Sequence, residues 1–73
     1  MLVLTRKPGQ TVIVDLTEGV DPRTLVGELF VEGAITIRVL DVMGAQVKLG
    51  FEAERRFRIL REELWERRRV AGG

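Results

Sequence analysis

Apolar residues recur with period two over most of the chain and with a helical period over two short stretches. Residues 1–6 put Leu2 and Leu4 on one side and Val3 and Thr5 on the other, which predicts a first strand. Pro8-Gly9 punctuates a turn over Lys7 to Gln10, and the β-branched run Thr11-Val12-Ile13-Val14 predicts a second strand. The two are expected to form a hairpin. Asp21-Pro22 suits a helix start, because Asp caps free backbone N–H groups and Pro is pre-set for the first helical position. Leu25, Val26, Leu29 and Phe30 then share one helical face and Gly33 suits a left-handed stop, so a helix is expected at about 22–32. Gly27 inside it costs about 1 kcal/mol relative to Ala, so this helix depends on tertiary packing.

Residues 34–42 return to period two, with Ile35, Ile37 and Val39 on one face and Thr36 and Arg38 on the other. Met43-Gly44-Ala45 makes a tight turn, and Gln46 to Phe51 answers with Val47, Leu49 and Phe51 inward, giving a second hairpin. Arg56 to Leu60 reads as a short fifth strand, and Glu62 to Val70 as a second helix. Gly72-Gly73 should fray. The order is β-β-α-β-β-β-α in a single domain over 1–73, mainly β with short helices.

Size changes this picture. With 73 residues the chain buries a modest core, and with neither Cys nor His it has no disulfide and no ordinary zinc site to add to it. The remaining way to complete the core is a second subunit, so a two-fold dimer with shared strands is expected. Arg6 and Lys7 open the chain without acidic neighbours. The segment 10–54 holds three basic and eight acidic residues, and 55–73 holds seven Arg and three Glu. Basic ends around an acidic middle suit a polyanion partner, although Arg67–Arg69 reads equally well as a solvated tail. No signal peptide or apolar membrane-spanning stretch stands out, and the cytoplasm is the expected location.

Enzymatic chemistry is poorly supplied. His, Cys and Ser are all missing, so the common bases and nucleophiles are absent. Asp15 and Asp41 read as strand-end carboxylates rather than a catalytic pair, and no phosphate-cradling glycine motif occurs. No cofactor and no metal is expected. Binding is better supplied. Arg6 and Lys7 close the first strand, and Arg55, Arg56, Arg58 and Arg61 flank or occupy the fifth. If those two strands lie side by side, they form a cationic strip beside aliphatic side chains, which suits single-stranded nucleic acid. Aromatic residues are few: Phe51 reads as core, Trp65 as packing a helix face, and Phe57 fits either role.

Met1-Leu2-Val3-Leu4-Thr5-Arg6-Lys7-Pro8-Gly9-Gln10-Thr11 resembles the opening of the bacterial carbon storage regulator family (CsrA/RsmA/RsmE). Residues 39–53, from Val39-Leu40-Asp41-Val42 through Gln46-Val47-Lys48-Leu49-Gly50-Phe51 to Ala53, resemble the family's central motif. Ile59-Leu60-Arg61-Glu62-Glu63-Leu64 resembles its end. The resemblance implies an intertwined, strand-exchanged homodimer of five-stranded chains, with the first strand of one beside the fifth of the other. It implies two RNA sites for GGA-containing hairpin loops of mRNA, often over the ribosome-binding site. Binding then represses translation or alters message stability, and small RNAs titrate the protein. By position, the RNA-binding residues are Leu4, Arg6, Lys7, Ala53, Phe57, Ile59, Leu60, Arg61 and Glu62, with Arg61 foremost. Glu54 stands where the family has the Pro of an Ala-Pro step, and Leu60 where it often has His. The segment at about 16–33 is similar to the helical insertion of the RsmN/RsmF subgroup.

Two other readings stand beside this one. A small basic-edged β dimer could bind duplex DNA, or the inserted helix could dock a protein, since relatives of this family are held by protein antagonists. No membrane partner is expected.

Overall fold

The computed structural model describes residues 1–65. The predicted Arg67–Arg69 tail, the helix beyond Trp65 and the terminal Gly72-Gly73 lie outside the described residues. Five strands are present among the described residues: β1 (Leu2–Arg6), β2 (Val12–Leu16), β3 (Thr36–Met43), β4 (Gln46–Glu52) and β5 (Phe57–Arg61). One helix, α1 (Val26–Leu29), lies between β2 and β3, and residues 62–65 begin a second helical stretch. The element order matches the expected one as far as Trp65.

Pairing departs from expectation at the first turn. The turn at Lys7–Gln10 forms, with the Gln10 N–H donating to the Lys7 carbonyl at 3.0 Å and Gly9 at φ 86°. It does not close a hairpin. β1 pairs antiparallel with β4 in a sheet ordered β1-β4-β3, whereas β2 pairs with β5 in a separate two-stranded sheet. Burial accounts for the first choice. Leu4 lies opposite Leu49, and Leu2 opposite Phe51, so pairing with β4 brings Leu4 to 6% and Phe51 to 3% exposure. In the second sheet a cross-strand ion pair, Arg58 to Asp15 at 3.0 Å, joins β5 to β2.

The β3–β4 hairpin forms as expected around Gly44 at φ 58°. A bulge at Leu40 shifts the register between Val39 and Asp41. The extra residue keeps Val42 opposite Val47 on the same face as Ile37 and Val39. Within the chain this apolar face of β3 is open: Ile37 is 56%, Val39 62% and Val42 63% exposed. Leu40 instead lies over Gly50, where a Cβ would come within 3.1 Å of the Leu40 Cδ1.

The helix expected at about 22–32 shrinks to one turn. Asp21 uses its carboxylate on the Arg23 N–H at 2.8 Å, and the Thr24 hydroxyl donates back to the Asp21 carbonyl at 2.7 Å. Those local bonds make a turn in place of a helix cap. Leu25 keeps extended dihedrals and offers no side-chain cap. Of the expected apolar face only Leu29 is buried; Leu25 and Val26 are each 69% exposed. With so little of that face covered, a short helix does not propagate.

Candidate nucleic-acid interface

Alternation on β5 sorts its side chains. Phe57, Ile59 and Arg61 stand opposite Leu16, Val14 and Val12 and share one face, while Arg58 and Leu60 share the other with Asp15 and Ile13. Arg61 is exposed, and Phe57 and Ile59 are half-buried. A cleft of about 310 Å³ opens against this face, lined in part by Leu2, Phe51, Ala53, Glu54, Phe57 and Ile59. It brings three expected site residues, Ala53, Phe57 and Ile59, to one place. Leu60 lies on the opposite face of β5, away from Phe57, Ile59 and Arg61.

The other end of the site is cationic but already occupied. Arg6 shares the inner face of β1 with Leu4 and is only 9% exposed. Its Nη1 donates to the Thr11 carbonyl and to Glu63 Oε1, both at 3.4 Å, and its Nε donates to the Thr5 carbonyl at 2.9 Å. The Glu63 carboxyl is held below the usual carboxylate range, first by its own backbone N–H, then by the hydrogen bond from Arg6, with the charges of Arg6 and Arg61 adding to it. Both arginines therefore act on one carboxylate, although β1 and β5 do not pair within the chain. The Glu62 N–H, donating to the Thr11 carbonyl at 3.3 Å, ties the start of the second helix to β2. Lys7 is exposed beside a hollow of about 450 Å³ between the turns at Pro8 and Gly44.

On the far face of β5 the Asp15 carboxyl is lowered from its ordinary 3.8. The Leu16 N–H is the largest cause, and hydrogen bonds from Arg58 and Trp65 add to it against a small cost of burial. Asp15 and Asp41 do not meet: Asp41 accepts from the Val42 N–H in the other sheet. Phe57 packs on Phe30, just after α1, with ring centroids 5.2 Å apart at 43°. Trp65, expected to pack a helix face, has a polar partner in Asp15.

Among the described residues no group of three or more acidic side chains gathers to hold a metal ion. No helix among them is long and apolar enough to cross a membrane. The arrangement is a cleft lined partly by apolar side chains, with an exposed Arg61 on the same face of β5. The sequence reading missed Glu63 as the partner of Arg6 and Leu2 as a wall of the cleft. Leu2 was within reach, since it alternates with Leu4. Glu63 was not, because 57 residues separate it from Arg6 in the chain.

Comparison with known proteins agrees with the motifs. A family model described as CsrA, the global regulator protein family, matches residues 22–69. A protein named translational regulator CsrA from Thermotoga petrophila is 41% identical over 66 residues, which cover 90% of this chain and 59% of that protein. Its namesake in Thermotoga maritima is 39% identical over the same spans. That of Thermosipho africanus is 36% identical, covering 90% of this chain and 67% of that protein. The chain thus spans about three fifths of the length of the Thermotoga relatives it matches. A family match over most of the chain, joined to a mainly β fold that carries the three motifs in order, leads to one conclusion: this chain belongs to the CsrA family of global regulators.

Proposed function

We propose that the chain is a post-transcriptional regulator that works as a homodimer and binds GGA-containing hairpin loops in mRNA leaders. Binding over a ribosome-binding site represses translation or alters message stability, and small RNAs with the same loops titrate the protein. The observation that carries this reading is the β5 face: Phe57, Ile59 and an exposed Arg61 beside the Ala53 cleft. Apolar groups accept splayed bases there, and Arg61 meets phosphate or a base edge. The name translational regulator carried by its relatives supports the same reading.

Dimerisation is supported by the shape of the chain. Its extents are 42 × 32 × 16 Å and its radius of gyration is 13.9 Å. A compact chain of this length has a radius near 11 Å. Its accessible surface is 5469 Å², against about 4,600 Å² for a folded monomer of this mass. The excess, about 900 Å², is close to what one partner buries in an ordinary interface. Among the described residues, β1, β2, β3 and β5 each keep one edge without a strand partner. A second copy that sets its β5 beside β1 satisfies the β1 and β5 edges and completes the site with Arg61 of one subunit near Arg6 of the other.

Arg61→Ala tests the assignment. Loss of one base-reading contact should weaken binding to a GGA hairpin by about 1–3 kcal/mol per site at fixed salt. Unchanged affinity in a folded variant removes Arg61 from the site. The same hairpin should outcompete a duplex of equal sequence, and preference for the duplex defeats the RNA reading.

A further inference from the structure

The loop joining β4 to β5 borders the cleft and lies between two hollows. The 310 Å³ cleft lies on one side of Glu52–Glu54, and a second hollow of about 280 Å³, lined by Glu32, Gly33, Ala34 and Thr36, lies on the other. What holds the loop is polar. Arg56 Nε donates to both Glu54 carboxylate oxygens at 2.8 Å, and the Arg56 backbone N–H reaches Glu54 Oε1 at 3.3 Å. The Phe57 N–H donates to the Glu54 carbonyl at 2.9 Å. The Glu54 side chain is only 8% exposed and that of Arg56 32%, so this pair is shielded more than a surface ion pair. Arg56 then extends further: its Nη2 donates at 2.7 Å to the Glu28 carbonyl in α1.

We propose that Arg56 is a positioning residue that clamps the β4–β5 loop and the inserted helix to each other. One planar guanidinium is shared between the loop carboxylate and a helix carbonyl, a task that suits the fixed fork of Arg. The arrangement gives the short α1 an anchor besides Leu29 and the Phe30–Phe57 contact. It also fixes Ala53 at the mouth of the cleft. This inference rests on the RNA reading for its effect on affinity; its mechanical part stands apart from that reading.

The test pairs amide hydrogen exchange with affinity for a GGA hairpin at fixed salt. In Arg56→Ala, exchange at Phe57 and at Leu29–Phe30 should accelerate together, and affinity should fall about five- to tenfold as loop residues regain freedom. Because Arg56→Ala strands the shielded Glu54 carboxylate, the double variant Glu54→Pro/Arg56→Ala is measured beside it. Proline removes that carboxylate and fixes φ at position 54 covalently, so the double variant should recover most of the affinity while α1 amides still exchange fast. Unchanged exchange in Arg56→Ala overturns the clamp. Faster exchange with unchanged affinity, or no recovery in the double variant, overturns the positioning role. A parent protein that ignores the hairpin defeats the RNA reading and the affinity effect together, and the exchange data then decide the clamp alone.

Discussion

Val39→Asp tests the proposed dimer where its consequence is largest. Ile37, Val39 and Val42 form one apolar row on β3, each 56–63% exposed in the single chain. Complete burial of such a side chain is worth about 1.5–3 kcal/mol, so about 1–2 kcal/mol per residue is unrealised until a partner covers it. Three residues on each of two copies give about 6–12 kcal/mol toward association. That is comparable to the translational and rotational entropy lost on pairing, so the row is needed and not an accessory. Replacing Val39 in both subunits removes about 2–4 kcal/mol of this and places two carboxylates at the seam. The dimer dissociation constant should therefore rise by at least about 30-fold. Sedimentation velocity across a protein dilution series reads the shift directly. A variant as dimeric as the parent refutes the assignment of this row to the interface, and a parent that sediments only as single chains refutes the dimer.

Three further outcomes follow from the structure. Lys7 is exposed and suits a phosphate, so Lys7→Ala should weaken binding evenly across RNA sequences and lower the salt slope by about one; a sequence-selective loss in salt-titrated gel shifts contradicts this. Phe51 is 3% exposed opposite Leu2 and Ile37, so Phe51→Ala should cost about 3–5 kcal/mol in urea unfolding, and a loss under about 1 kcal/mol shows that the core lies elsewhere. Asp15 has a folded-state pKa below its ordinary 3.8, so its contribution is complete above that value and drains away as pH falls through the lower one. The pair with Arg58 leaves Asp15 46% exposed, so screening holds its worth to about 1 kcal/mol or less. Thermal melts of Asp15→Asn should match the parent near pH 2 and fall slightly below it at pH 7; a larger gap at low pH reverses the sign of the argument.

Local chemistry in the sequence decided where strands run. Alternation in Leu2–Arg6, Thr36–Met43 and Gln46–Glu52 is a property of neighbouring residues, and Gly9 and Gly44 mark turns because glycine takes positive φ cheaply. The three motifs that carry the family are likewise contiguous in the chain. Pairing is not local. Pro8-Gly9 signals a reversal, but whether β1 then meets β2 or β4 depends on which partner buries Leu4, and that is settled by Leu49, some 45 residues away. Only the tertiary structure shortened α1, since an amphipathic pattern forms a helix only where something covers it. It also gave Arg6 to Thr11 and Glu63, paired Glu54 with Arg56, and left the β3 row uncovered. Each depends on residues brought together by folding, and a linear pattern records which groups are available but not which of them meet.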